Sequence, residues 1–148
     1  MSVAFRRESD EEHREPRFEL PIPPGPNLVT VRGLELTRVR VAELEAALAQ
    51  ATGDAREAVT RDLRYWHTRA NTAVLAPPPA PDEVGFGSRV RVLLKGAERW
   101  FTIVGDDEAD PAAGLIAWSA PLARALAGAM VGEDVPFGGG VAEVLAID

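Results

Sequence analysis

Two acidic residues, Asp54 and Glu57, lie three positions apart in a short stretch that also contains Gly53 and Arg56. Side chains at this spacing share one side of a helical turn. Their carboxylates are the hard oxygen ligands that Mg²⁺ prefers. The same pair also matches a helix start, with Asp54 as the capping residue and Glu57 at the third helical position of a capping box. The residues therefore allow two interpretations, metal chemistry and helix capping, and by themselves they favour capping.

A second acidic cluster comprises Asp106, Asp107, Glu108 and Asp110. Its spacing lacks the regular alternation and the closing glutamate of a calcium loop. The cluster therefore favours a solvated turn over a metal site. Arg124 lies further along the chain and could pair with this loop or with a carboxylate of a partner.

The residues around Asp54 and Glu57 follow helical periods. A first set of apolar or small residues repeats in heptads, and a second set repeats after the break at Gly53 with spacings of four and three. The first set is Leu34, Thr37, Val41, Leu44, Leu48 and Ala51, and the second is Val59, Leu63, Trp66, Ala70 and Ala73. Two such helices joined by a short turn predict an antiparallel helical hairpin over residues 28–76 with its tip near 52–57.

Proline-rich segments flank the hairpin on both sides. Residues 1–27 combine charge clusters with five prolines and predict an extended or disordered arm. Residues 77–84 predict a stiff linker. The remaining residues, 85–148, favour a small α+β domain. Its predicted strands are 89–94, 100–104, 115–118 and 141–147, with a turn at 138–140 and a helix that Ser119 caps and Pro121 begins.

The composition limits the classes of function. The net charge of −7 and the pI near 4.9 argue against binding nucleic acid through a broad basic surface and suit docking on a basic partner. The chain has no cysteine, which excludes disulfides and thiol chemistry. It shows no signal peptide and no apolar run long enough for a membrane. We expect a cytoplasmic monomer without membrane contact.

Four ordered blocks carry a family resemblance: Phe86-Gly87-Ser88, then residues 102–110 (TIVGDDEAD), then Gly114-Leu115-Ile116, then residues 119–126 (SAPLARAL). In this order and spacing they closely resemble the C-terminal domain of the bacterial GreA/GreB family of transcript-cleavage and elongation factors. The resemblance implies an N-terminal antiparallel α-helical hairpin, a coiled coil, followed by an FKBP-like antiparallel sheet with one helix.

The resemblance also implies a partner and a mechanism. In that family the hairpin enters the secondary channel of RNA polymerase, and acidic residues at its tip help to hold the polymerase's own Mg²⁺. The family pattern Gly-Asp-x-Lys-Glu corresponds here to Gly53, Asp54, Arg56 and Glu57, with arginine in place of lysine. The chain would then be an accessory factor without an intrinsic cofactor, not an enzyme, and would meet nucleic acid only within the elongation complex. The resemblance implies that residues of the C-terminal domain bind the channel rim: Asp106, Asp107, Glu108, Asp110, Ser119, Pro121 and Arg124.

Two departures from the family bear on activity. Residues 58–61 read Ala-Val-Thr-Arg where the family continues with Asn-Ala-Glu-Tyr. The hairpin arms are shorter by roughly ten residues each, or about 15 Å of helix. A polymerase-binding regulator of elongation is therefore the leading hypothesis, and an active cleavage factor using Asp54 and Glu57 is the alternative. A peptidyl-prolyl isomerase or a generic protein-interaction module is the third.

Overall fold

The computed structural model describes residues 19–148, so most of the predicted N-terminal arm lies outside the described residues. The described chain divides into two compact units. One contains the described residues up to Pro24 together with residues 37–72, and the other contains residues 25–36 and 73–148. The first six residues of the long helix that begins at Val31 therefore belong to the second unit.

The helical hairpin consists of α1 (Val31–Gln50) and α2 (Gly53–Thr72), twenty residues each. Every residue of the first predicted seam is buried or half-buried, and all other positions between 34 and 51 are exposed. All five residues of the second seam are also buried or half-buried. A contact of 3.2 Å between Glu45 Oε1 and His67 Nε2 joins the two antiparallel helices. The predicted hairpin and both of its seams are confirmed.

The second unit is built on a five-stranded sheet with the order β5-β4-β3-β7-β6. The strands are β3 (Arg89–Leu94), β4 (Ala97–Val104), β5 (Leu115–Ala117), β6 (Asp134–Phe137) and β7 (Gly140–Ile147). The helix α3 (Pro121–Leu126) follows β5 and contributes the fully buried Leu126 to the core. The predicted α+β class is confirmed. One detail differs, because β4 and β5 pair in parallel and the sheet is mixed rather than antiparallel.

The core lies on one face of this sheet because alternate side chains of each strand point to the same side. Val90 and Val92 are fully buried, whereas Arg89 in the same strand is exposed. Phe101 is buried and its neighbour Trp100 is exposed, as the predicted alternation requires. The core face therefore follows directly from the apolar pattern of β3 and β4.

Some strands differ from the prediction for local reasons. β4 begins at Ala97, three residues earlier than predicted, because Lys95 and Gly96 both have positive φ and form a two-residue hairpin turn. The edge strand β6 was not predicted because it contains Pro136, which is tolerated only at a sheet edge. Two further two-residue strands, β1 (Leu28–Val29) and β2 (Val74–Leu75), pair in parallel and are too short for a pattern to reveal.

Candidate functional site

The hairpin tip presents Asp54 and Glu57 to solvent. Helix α1 ends at Gln50, and α2 begins at Gly53, whose φ of +60° is accessible to glycine at little cost. Asp54 lies in the first turn of α2, Glu57 follows at the fifth helical position, and both are exposed. Arg56 donates a hydrogen bond of 3.2 Å from Nη1 to the Leu48 carbonyl, one of the carbonyls that the end of α1 leaves unpaired. The tip is therefore held by its arginine, and its two carboxylates point outward.

The predicted capping role of Asp54 is wrong. Helix α2 begins two residues earlier than this role requires, and the carbonyl that accepts the first helical hydrogen bond belongs to Thr52, with 3.4 Å to the Arg56 nitrogen. Within residues 19–148, neither carboxylate of the tip pair forms a hydrogen bond or an ion pair. Negative charge in this first turn still suits the helix dipole. The structure thus uses neither carboxylate as a hydrogen-bonding cap.

The acidic loop, defined as residues 105–114, is more ordered than a solvated turn. Gly105 follows β4, and a Cβ at this position would lie 2.4 Å from the Leu28 carbonyl oxygen. A single 3-10 turn, Asp106–Glu108, comes next. Asp110 then exchanges two backbone hydrogen bonds with Leu115, of 2.8 and 3.0 Å. These backbone constraints fix the directions in which the acidic side chains leave the loop.

Asp106 and Ser119 are brought together. The Ser119 hydroxyl donates a hydrogen bond of 2.6 Å to Asp106 Oδ1. The predicted capping of α3 by Ser119 is therefore wrong, because the N-cap position belongs to Ala120 and has no side-chain cap. The predicted first helical residue, Pro121, is confirmed. Two residues singled out separately in the sequence thus form one polar site on the edge of the second unit.

Glu108 was predicted to lie at the surface, but its side chain is buried. Its side chain is only 5% exposed, and its two oxygens accept hydrogen bonds from Thr30 Oγ1 (2.6 Å) and Arg32 Nη1 (2.9 Å). A carboxylate engaged in this way is not available to bind a partner, which corrects its assignment to the contact surface. Thr30 and Arg32 were not among the predicted site residues. The available signal was a threonine immediately before an apolar helical period, which is typical of an N-cap.

The remaining predicted contact residues stay at or near the surface. Asp110, Pro121 and Arg124 are exposed, and Asp107 is half-buried. The predicted pairing of Arg124 with the acidic loop is not formed, because its guanidinium makes no hydrogen bond or ion pair with the other residues that the structure describes. Arg124 therefore remains available for a carboxylate of a partner.

The described part of the arm contacts the second helix of the hairpin. Arg64 donates from Nε to both oxygens of Glu19, at 2.9 and 3.0 Å, and also from Nη2. The hydrogen bonds from Arg64 lower the pKa of the Glu19 carboxyl below its ordinary value. The same contact raises the pKa of Arg64. Both side chains of this ion pair are exposed, so solvent screens it.

The outer face of the sheet carries an unpredicted contact between an arginine and a tryptophan ring. The Arg89 guanidinium lies 4.0 Å from the centre of the Trp100 ring and 3.0 Å from Asp148 Oδ2. Arg91 lies farther from the same ring, at 5.8 Å. Arg91 Nη1 also lies 3.9 Å from Glu98 Oε2, so each of the two arginines has an acidic neighbour.

Residues 19–148 contain no cluster of three or more histidine or acidic side chains that could hold a metal ion. They also contain no helix that is both long and apolar enough to cross a membrane. The two tip carboxylates could bind Mg²⁺ only together with ligands from another molecule, because this ion requires near-octahedral coordination.

Comparisons with a family model and with known proteins all match transcription elongation factors of one family. The profile "Transcription elongation factor, GreA/GreB, C-term" matches residues 78–147. The transcription elongation factor GreA of Vibrio parahaemolyticus is 31% identical over 133 residues, which covers 72% of this chain and 85% of that protein. The chain belongs to the GreA/GreB family. The alignment with a second relative, GreB of Neisseria meningitidis serogroup A, is 37% identical over 98 residues and covers 61% of this chain. It spans only 60% of that GreB.

Two solved structures of the family were also matched. GreA factor homolog 1 of Thermus thermophilus is 21% identical with a TM-score of 0.40, and the match covers 84% of this chain and 99% of that one. The GreA/GreB factor of Nitrosomonas europaea is 20% identical with a TM-score of 0.40, and the match covers 84% and 98% of the two chains.

The extent of the Vibrio GreA alignment shows that this chain lacks residues that the relative has. The alignment has 133 positions, but 72% of the 148 residues of this chain is only about 107 residues. About 26 positions of the alignment, the difference between these two numbers, therefore have no residue in this chain.

Proposed function

We propose that this chain is an RNA-polymerase-binding regulator of transcription elongation that inserts its helical hairpin toward the secondary channel. The observation that carries the proposal is the tip, where two exposed carboxylates without partners among the described residues stand at the end of a hairpin of two twenty-residue helices. Membership of the GreA/GreB family supplies the partner. In this role the chain is an accessory factor, has no cofactor of its own and approaches nucleic acid only within the elongation complex.

The short length of the hairpin favours occupation of the polymerase channel over stimulation of RNA cleavage. Twenty residues of helix span about 30 Å, and arms shorter by ten residues lose about 15 Å relative to the family. A carboxylate can bind Mg²⁺ only at about 2 Å. A tip that stops this far short cannot share the metal of the polymerase active site. The short hairpin would instead narrow the channel and compete with longer factors for it.

Active cleavage is the second candidate, and one observation favours it. Asp54 and Glu57 are not consumed by capping hydrogen bonds, so both are available as metal ligands. If docking is deeper than in the family, the pair would bind the polymerase's Mg²⁺, and the polymerase would perform the two-metal hydrolysis of backtracked RNA. The residues of this chain would orient the metal and its water.

Docking on the rim of the channel would use the acidic loop and the start of α3. Asp106, Asp107 and Asp110 provide negative charge for a basic surface, and Ser119, Pro121 and Arg124 lie on the adjoining segment. Complementary charge of this kind speeds association and sets orientation. We exclude Glu108 from the contact because its carboxylate is buried.

Prolyl isomerase activity is the weakest candidate. Such a site needs an apolar pocket lined by aromatic residues, and Trp100 and Phe101 lie on opposite faces of the sheet. A generic protein-interaction module would use the same exposed residues as the polymerase contact. It differs only in the partner that it binds.

The test is transcript cleavage and elongation in backtracked complexes of the cognate RNA polymerase with Mg²⁺. We expect the protein to bind the polymerase and to leave RNA 3′ ends uncleaved. Asp54→Ala with Glu57→Ala is compared with Glu35→Ala, an exposed acidic residue of α1 that lies far from the tip. Cleavage that disappears only in the tip variant would establish the alternative. Absence of any binding by the intact protein would overturn the proposal.

A further inference from the structure

We propose that Glu108 is a positioning residue that holds the acidic loop against the N-terminus of α1. It fixes the conformation in which the loop binds the polymerase, and Glu108 itself does not contact the polymerase. This inference rests on the proposed function. It reassigns a residue that the family resemblance places among the polymerase contacts. It also adds Thr30 and Arg32, which the resemblance does not mention.

The carboxylate of Glu108 is fully engaged inside the second unit. Its Oε1 accepts the hydroxyl proton of Thr30 at 2.6 Å, and its Oε2 accepts from Arg32 Nη1 at 2.9 Å. Hydrogen bonds to an ionised group are about twice as strong as neutral ones. The Glu108 side chain is only 5% exposed, so removal of its hydrogen-bond donors would leave a buried carboxylate charge without compensation.

Thr30 connects this carboxylate to the helix. Its hydroxyl oxygen accepts from the Gly33 nitrogen at 2.9 Å, and its carbonyl accepts from the Leu34 nitrogen at 2.9 Å. Thr30 is therefore the N-cap of α1, and its single hydroxyl proton is directed to Glu108. The negative charge of Glu108 also lies at the positive end of the helix dipole.

Gly33 leaves the space that the carboxylate occupies. A Cβ at position 33 would lie only 2.7 Å from Glu108 Oε1, and 3.4 Å from Thr30 Oγ1. Any side chain at this position would displace the Glu108 carboxylate. The sequence thus provides the carboxylate of Glu108, two hydrogen-bond donors for it and the space at Gly33 that it occupies.

The acidic loop is consequently held at both ends of one short turn. Glu108 ends the 3-10 turn that Asp106 begins. Asp106 is bound to Ser119 on one side, and Glu108 is bound to the start of α1 on the other. When the Glu108 contact is lost, the turn can move while the strands that flank it remain paired. The orientation of Asp106 and Asp107 toward a partner would then be lost without loss of the sheet.

The experiment compares Thr30→Val with Thr30→Ser in the full chain. Valine keeps the shape of threonine but removes the hydroxyl, and serine keeps the hydroxyl. Glu108→Gln is the second variant, since it retains the size of the side chain and removes its charge. Affinity for the cognate polymerase is measured together with amide NMR spectra of the unbound proteins, at a temperature where circular dichroism shows each variant folded.

We expect Thr30→Val and Glu108→Gln to bind the polymerase about tenfold more weakly, the equivalent of one lost charged hydrogen bond. Amide resonances of residues 106–110 should shift, those of β6 and β7 should not, and Thr30→Ser should behave like the unaltered chain. Unchanged affinity in both variants would overturn the inference, as would unchanged resonances of the loop. Failure of the unaltered chain to bind would instead count against the proposed function, and the NMR comparison would still test the contact.

Discussion

Ser119 donates a hydrogen bond of 2.6 Å to Asp106 across thirteen residues of chain, and this bond joins the acidic loop to the segment that begins α3. Both residues are polar, lie near the surface and sit next to Pro121, which is exposed. The hydrogen bond thus gathers three of the predicted polymerase contacts into one patch. Its geometry holds Asp106 in a single direction.

We predict that Ser119→Ala weakens binding to the cognate polymerase more than it weakens folding. Loss of one hydrogen bond near the surface should lower the free energy of unfolding by about 1 kcal/mol. A released Asp106 should reduce affinity by about tenfold, since the proposed contact depends on its direction. Calorimetry and a polymerase-binding titration measure the two effects. Ser119→Thr keeps the hydroxyl and is the matched control, and an Ala variant with unaltered affinity would contradict the role of the patch.

Gly105 is expected to be the least replaceable residue of the loop. A Cβ at this position would lie 2.4 Å from the Leu28 carbonyl oxygen, which is backbone and cannot swing away. Gly105→Ala should therefore lower the free energy of unfolding by about 2 kcal/mol or more, as overpacking does in a core. Thermal unfolding of the variant and the unaltered chain measures this change in stability. Gly140→Ala, whose Cβ would meet nothing closer than 3.9 Å, is the control and should change stability little. Equal effects of the two substitutions would count against the steric argument.

The hairpin could be predicted from sequence in unusual detail because the seam residues recur at helical spacing and all lie on the buried side of their helix. The spacing of Leu34, Val41 and Leu48 alone identifies the buried side of α1. The parallel pairing of β4 with β5 could not be predicted, since it depends on the path of the intervening loop and not on the pattern of either strand. The role of Glu108 was missed for a related reason. Its donors lie 78 and 76 residues away in sequence, and no local rule connects them.

The Asp54 and Glu57 pair shows a different limit. The residue types fit a capping box, but α2 starts at Gly53, two residues before the predicted start, and both carboxylates are exposed. Helix boundaries are commonly uncertain by one or two residues in any sequence-based reading. Here a shift of two residues separates a capping role from availability for metal binding.

The Glu19 carboxyl should titrate below the ordinary glutamate range. Hydrogen bonds from Arg64 lower its pKa, so the folded chain holds this proton less tightly than the unfolded chain does. The ion pair therefore contributes stability above the unfolded pKa, and this contribution is lost as the pH falls through the lowered folded pKa. An NMR titration of the Glu19 side chain measures the shift. Arg64→Met should return the Glu19 pKa to the ordinary range, and an unchanged titration in that variant would show that the ion pair does not form in solution.

Lengthening the hairpin tests the reach argument directly. Eleven residues make three helical turns, so an insertion of eleven in each helix at the same level keeps the seam on one face and extends the tip by about 16 Å. If reach alone prevents cleavage, the lengthened chain should stimulate hydrolysis of backtracked RNA, and Asp54→Ala with Glu57→Ala in the lengthened chain should abolish it. Both chains should bind the polymerase. Cleavage by the unlengthened chain would show that its tip already reaches the metal. A lengthened chain that binds, keeps its helical content and still fails to cleave would show that the missing residues after Glu57, and not length, limit the activity.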